Sequence, residues 1–292
     1  MKILLLADLH GKIPKIKTKD FDIILSPGDI CEDKYHRKYV DLWLKEIKKG
    51  YKKSAYAYME ETLTEKQIEK LEQKRINGGK KLLKNLAKQK KPVYWIPGNW
   101  DGRKDRTHKE EKTLYQRYSS LYNFFFEKTD KDLKDFENVE NIHFKIKKLP
   151  YANLIGVGRT MHPEYTKEVL ENLNEKEKEK LTKKYEKIKQ KIRSLYEKRD
   201  KTKPTIIISH NSPYKTKLDK INSPGSPAHN KHIGSTISKW MIKELQPDLF
   251  IGSHVHEAKG KIKIGKTTCV NTGFGPEINY VVDTKKMSIK EI

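Results

Sequence analysis

The sequence predicts an α/β sandwich, and three observations carry the prediction. Short apolar runs recur along the 292 residues, each ending in Gly, Pro, Asn, Asp or His. They are rich in Ile, Leu and Val without clean alternation, the pattern of strands buried on both faces. Amphipathic helical stretches lie between them, and strands alternating with helices assemble as sheets covered by helices.

In chain order the expected strands are KILLLAD (2–8), FDIILSPGD (21–29), PVYWIPGN (92–99), NLIGVG (153–158), PTIIISHN (204–211) and PDLFIGSH (247–254). Tyr39, Leu42, Trp43 and Ile47 form one helical face; Leu82, Leu83 and Leu86 form a second; Ile237, Trp240, Met241 and Leu245 form a third. The tail differs: GKIKIGKTTCVNTG and INYVVD read as shorter antiparallel strands joined by Gly turns. Two Lys/Glu-rich helical insertions, about 51–91 and 162–202, interrupt the rhythm. Thr64 with Gln67 is a capping box for the first, and Gly78 and Gly79 are expected to weaken or bend it. Asn174 followed by Glu177 starts the second. Its seam of Leu181, Tyr185, Ile188, Ile192 and Leu195 suits either a helix laid over the core or a dimer or partner surface. No repeat or low-complexity linker marks a boundary, so residues 1–292 are expected to form one domain.

Composition narrows the function classes. Hydrophobic and charged residues each make up 35% of the chain, so the core is confined to a few segments. Cys31 and Cys269 are too few for a disulfide framework. MKILLLADLH is apolar for too short a stretch to be a signal peptide core or membrane span. A soluble, cytoplasmic protein is the expectation. The net charge of +24, from 63 Lys+Arg against 39 Asp+Glu, allows a nucleic-acid partner. Only eight of those cations are Arg, the residue favoured for bidentate phosphate contacts. Most of the rest are mixed with Glu on helices, so a solvated surface is the plainer reading.

The chemistry lies at the strand ends. Asp8 and His10 follow the first strand on one side of an extended segment. Asp29 follows the second strand, Asn99 the third, and His210 ends PTIIISH. His254 and His256 again share a face. Carboxyl ends of strands in an α/β sheet are where ligands collect. Any one of these histidines alone reads as a satisfied surface or core residue, but coincidence explains the whole set poorly. Mixed imidazole and carboxylate donors suit Mn, Fe or Zn better than Ca or Mg. Seven such side chains are too many for one ion and right for two, given one bridging carboxylate.

The motifs DLH (8–10), GD (28–29), GNWD (98–101), His210 within SHNSP and SHVH (253–256) stand in order along nearly the whole chain. In this it resembles the calcineurin-like metallophosphoesterases, whose pattern runs DxH, GD, GNH[ED], H and GHxH. The resemblance implies a four-layer α-β-β-α sandwich with a dinuclear centre on its loops. Asp8, His10 and His256 would hold one divalent ion and Asn99, His210 and His254 the other, with Asp29 between them. Mn2+ is the expected metal, with Fe, Zn or Ni as alternatives. The implied reaction is hydrolysis of a small phosphoester by a metal-held hydroxide. Ser253 stands where the family commonly has Gly, a small departure at a position that is not a ligand.

Trp100 departs further. Much of the family has a His there, which protonates the leaving oxygen and is held by the following acid, here Asp101. Indole can donate one hydrogen bond but delivers no proton at neutral pH. Loss of a general acid reduces rates by about 10²–10⁴-fold for poor leaving groups. Some small prokaryotic phosphodiesterases of the family also replace this His, and the chain is similar to them. The expectation is therefore a phosphodiesterase, with Asp101 left without its usual partner. His229 and His232, in a Gly/Pro-rich loop before the helix STISKWMIKEL, are candidates for the missing acid. A nuclease and a metal-binding scaffold are the competing readings, and a homodimer is left open.

Overall fold

The computed structural model describes residues 1–101, 136–158 and 164–292, with Tyr56 described in its backbone only. Residues 162–163 of the second expected insertion lie outside this set.

Among the described residues, two six-stranded sheets form the centre of the molecule. The first has the order β12-β11-β1-β2-β3-β4, with β1 Lys2–Leu5, β2 Ile23–Ser26, β3 Val93–Trp95, β4 Val139–Asn141, β11 Tyr280–Asp283 and β12 Ser288–Glu291. The second runs β5-β6-β7-β8-β10-β9, with β5 Lys145–Lys148, β6 Asn153–Val157, β7 Thr205–Asn211, β8 Leu249–Ser253, β9 Gly260–Ile264 and β10 Thr267–Asn271. β1, β2 and β3 are parallel neighbours, as are β6, β7 and β8, so each sheet gathers its carboxyl ends along one edge. The antiparallel tail is present in the pairs β9/β10 and β11/β12.

Alternate side chains separate the layers. Ile3, Leu5, Ile23 and Leu25 face Leu154, Ile206, Ile208 and Ile251 between the sheets. Leu4, Leu6 and Ile24 point outward onto Ile76, Leu82, Leu83 and Leu86 of helix α3 (Glu65–Ala87). Ile155, Ile207 and Phe250 point the other way onto Leu181, Tyr185 and Ile192 of helix α5 (Glu175–Glu197). Each such aliphatic side chain, fully buried, contributes about 1.5–3 kcal/mol. The four-layer α-β-β-α sandwich is thus present.

Both capping boxes form, at Thr64/Gln67 and at Asn174/Glu177. The seam of α5 covers the second sheet, with Ile188 and Leu195 partly buried against the same cluster. Three details add to the sequence reading. Gly78 and Gly79 leave α3 unbroken; a Cβ at Gly78 would collide with Cβ of Glu32, so glycine there admits the neighbouring loop. The predicted face of helix α1 (Lys34–Lys48) is only half-buried, and the residue α1 buries is His36. The third predicted face is present on α6 (Thr236–Trp240) and the π-type turn Met241–Leu245 that continues it, with Ile237, Trp240, Met241 and Leu245 all packed into one cluster. Helices α2 (Ala55–Thr62) and α4 (Lys167–Glu171) complete the described insertions.

Candidate metal centre

The carboxyl ends of the two sets of parallel strands meet, and every strand-end residue named above except the two loop histidines converges there. The backbone turns sharply to achieve this: Asp8, His10, Asp29 and His254 have φ of 49°, 48°, 54° and 75°. Non-glycine residues seldom adopt the left-handed region, and such strain gathers at functional sites. β7 also slips register against β8 between Ile208 and Asn211, a bulge spanning His210. Gly98 lets two ligand-bearing loops approach, because a Cβ there would lie 2.5 Å from the backbone nitrogen of Asp29.

Two groups of donor atoms result, Asp8/His10/His256 and Asp29/His210/His254, each with its atoms within 4.8 Å of one another. Asp29 lies between them. Its Oδ2 is 3.7 Å from His10 Nε2 and 3.5 Å from His210 Nε2, while its Oδ1 accepts the Trp100 N–H at 2.8 Å. Asn99 joins the second group, with one end of its amide 2.8 Å from His210 Nε2. His210 Nε2 and His254 Nδ1 are 3.2 Å apart, and His10 Nε2 and His256 Nε2 are 3.4 Å apart.

These residues fit a pair of cations. His210 Nδ1 lies 3.0 Å from the Pro27 carbonyl, which can only accept, so the lone pair of neutral His210 sits on Nε2 and points into the centre. Asp33 Oδ2 lies 3.3 Å from His10 Nδ1, a charge contact without hydrogen-bond geometry. Burial pushes the His10 pKa down to about 4 against the nearby carboxylates of Asp33 and Asp8, leaving the ring neutral at pH 7. Asp8 is fully buried, its Oδ2 accepts the His254 N–H at 2.8 Å, and its Oδ1 has no hydrogen-bond partner. Burial alone would raise its pKa. The imidazoles of His256, His210 and His10 gathered around it, which take up protons as the pH falls, hold the carboxyl below the usual range. Converging imidazoles and carboxylates in a partly buried site suit divalent transition metals.

Asp101 is not left without partners. Its Oδ1 accepts the N–H groups of Ile30 and Cys31, and its Oδ2 accepts that of Gly98, all at 2.8 Å. It ties the loop after β2 to the loop after β3 and so positions Asp29 and Asn99. His232 Nδ1 is 2.7 Å from Asp219 Oδ1, which fixes a partly exposed ring. His229 is exposed, and its N–H is held by the Ser226 carbonyl.

Residues behind Trp100 escaped the sequence reading. His36 Nε2 lies 2.9 Å from Glu72 Oε1, Arg75 binds Glu72 Oε2 through Nε at 3.1 Å, and Arg75 also donates to the Trp100 carbonyl. Burial opposes ionisation of Glu72, but the charge of Arg75 and the bond to His36 bring its pKa down to about 2. Arg37 stacks over the indole at 5.4 Å and pairs with Asp33. Glu72 and Arg75 at i and i+3 on a helix were the available signal, but that spacing is common on solvated helices.

This sandwich with adjoining metal-ligand clusters at its strand ends defines a class, the dinuclear metal-dependent hydrolases. Comparison makes the assignment specific. The chain belongs to the calcineurin-like phosphoesterase family, whose model matches residues 1–258. It is a metal-dependent phosphoric ester hydrolase. One crystal structure superposes with a TM-score of 0.56 at 16% identity, covering 100% of this chain and 98% of that one. The protein TT1561 of Thermus thermophilus gives 0.47 at 16% identity, covering 100% and 97%. A putative 5'-nucleotidase from Staphylococcus aureus, solved in complex with alpha-ketoglutarate, gives 0.46 at 10% identity, covering 100% and 52%. At 16% identity the first of these likenesses bears on the fold alone. No curated protein matches the chain significantly. Among the described residues no helix is long and apolar enough to cross a membrane.

Proposed function

We propose that this hydrolase is a phosphodiesterase working with two divalent cations, Mn2+ preferred, on a small soluble substrate with a good leaving group. One observation supports the reading above the rest: all seven candidate ligands converge, while the position after Asn99 carries an indole. Asp8, His10 and His256 would bind one cation and Asn99, His210 and His254 the other, with Asp29 between them. Bound there, the two ions supply an activated nucleophile from water and neutralise charge on the phosphoryl oxygens.

The chain's own groups orient that pair. The Pro27 carbonyl sets the tautomer of His210, the Asp33 carboxylate lies beside His10 Nδ1, and Asp101 locks the loops that carry Asp29 and Asn99. No proton donor stands at position 100, so departure of a poor leaving group goes without help from that side. His232, its ring oriented by Asp219, is the better of the two loop histidines to supply one. The nuclease reading has weaker support, because cations of α5 pair with neighbouring acids, as in Lys178–Glu175 and Lys189–Glu186.

Hydrolysis of bis-p-nitrophenyl phosphate, p-nitrophenyl phosphate, cyclic nucleotides and oligonucleotides, assayed with Mn2+, tests this function. Turnover of the activated diester well above the monoester is expected. No turnover by protein carrying two Mn2+ would overturn the reading, and preference for oligonucleotides would favour the nuclease.

A further inference from the structure

The side-chain amide of Asn99 lies between two sets of partners that make opposite demands on it. Its Oδ1 faces inward, 2.8 Å from His210 Nε2, 2.8 Å from His254 Nδ1 and 3.3 Å from Asp29 Oδ2, and its Nδ2 is 3.2 Å from Trp100 Nε1. Indole N–H only donates. His210 Nε2 presents a lone pair, because Nδ1 is committed to the Pro27 carbonyl, and the Asp29 carboxylate only accepts. With its NH2 group turned inward, Asn99 satisfies both ends, donating to the ligand cluster and accepting from the indole. With its oxygen turned inward, as ligation of a cation requires, the NH2 group meets the indole N–H donor to donor.

The indole is not easily moved aside. Its backbone is held at both ends, N–H to Asp29 Oδ1 and carbonyl to Arg75. Its ring is bracketed by His10 and His36, centroids at 6.3 and 6.2 Å, and by the Arg37 guanidinium. The Asp8/His10/His256 half contains no amide and faces no such reorientation.

We propose that Trp100 is a latch on one half of the centre: its indole N–H selects the Asn99 orientation that excludes the cation, so the two metals bind in sequence. The Asp8/His10/His256 half fills first. The Asn99/His210/His254 half fills second and more weakly, because its cation must turn the amide over and leave the indole donor unsatisfied. The inference rests on the reading of these residues as a metal site and assigns position 100 an effect on occupancy in addition to the missing acid.

Calorimetric titration of the metal-stripped protein with Mn2+ tests the latch without reference to activity, with thermal melts confirming that each variant is folded. Two classes of site are expected. Trp100→Phe should leave the tighter class unchanged and tighten the weaker about three- to tenfold, the worth of one hydrogen bond. Asn99→Asp removes the conflict, since a carboxylate can ligate with one oxygen and accept from the indole with the other. In that background Trp100→Phe should therefore weaken the second site, reversing its effect. A second site unchanged or weaker in Trp100→Phe alone, with both classes present, would overturn the latch and leave the metal reading intact. Failure of wild type and Asn99→Asp alike to bind two ions would overturn the metal reading and the latch with it.

Discussion

His10 and His210 stand on opposite sides of Asp29, and their Nδ1 atoms face different groups. Asp33 Oδ2 faces one at 3.3 Å, and the Pro27 carbonyl faces the other at 3.0 Å. The same contrast extends outward. Behind His10 lie side-chain charges on α1, α3 and the residue before α1, namely Asp33, Arg37, Glu72 and Arg75, with the His36 ring against Glu72. Behind His210 lie β7, β8 and a backbone carbonyl. The helix side therefore depends on ionised groups that a substitution or a change of pH can remove. The sheet side depends on strand register, which single substitutions scarcely touch.

The largest effect expected from breaking this contrast is on the helix side. Arg75→Met strands the Glu72 carboxylate in a site with 1% exposure and takes a donor from the Trp100 carbonyl. Removing one partner of a buried ion pair destabilises by about 3–5 kcal/mol. Urea melts should show that loss at pH 7. The pH dependence has a definite sign. Glu72 has its folded pKa lowered to about 2 from 4.5, so the pair's contribution is complete above pH 4.5 and disappears as pH falls toward 2. The gap between wild type and variant should close across that window. A neutral-pH loss below about 1 kcal/mol would show that the network carries little of the helix side's stability.

The division also explains what the sequence revealed. The sheet side was legible because strand ends advertise themselves. An apolar run, a small residue and then His, Asp or Asn is a local pattern, and five such patterns in order are specific. The helix side was not. Glu72 and Arg75 are two more charges in a Lys/Glu-rich stretch, and His36 looks like any helix-surface His until α1 is seen to bury that residue. Asp101 was named from its place after Trp100, but its role depends on the approach of two loops distant in sequence, from which it collects three N–H groups. β4 and β5 went unannounced because VEN and KIKK carry too little apolar surface to mark edge strands.

A smaller effect sharpens the comparison at the ligands. Asp33→Asn replaces the carboxylate that faces His10 Nδ1 but keeps its shape. Loss of such an outer partner lowers metal affinity by about 10–100-fold. Mn2+ titration should show the weakening at the tighter class of site, with the weaker class unmoved, since His210 takes its orientation from Pro27. Equal weakening of both classes would mean that the halves are coupled through Asp29 and that the contrast is one of architecture only.

The smallest effect is expected at Trp100, where the two sides meet. Trp100→His places an imidazole where much of the family has one, and a proton donor there should speed hydrolysis of substrates with poorer leaving groups. In the family this ring is held by the following acid. Here the oxygens of Asp101 already receive three backbone N–H groups, so a new ring would compete with the loops for its own orientation. A gain of about tenfold at most follows, far below the roughly 10²–10⁴ of a fully positioned acid. The gain should be confined to phosphodiesters with alkyl leaving groups and be absent for p-nitrophenyl esters, whose leaving group needs no proton. A gain of a thousandfold would show that Asp101 can hold the ring and its loops together. An equal gain on activated esters would show that the substitution acts through metal occupancy, as removal of the indole donor would cause.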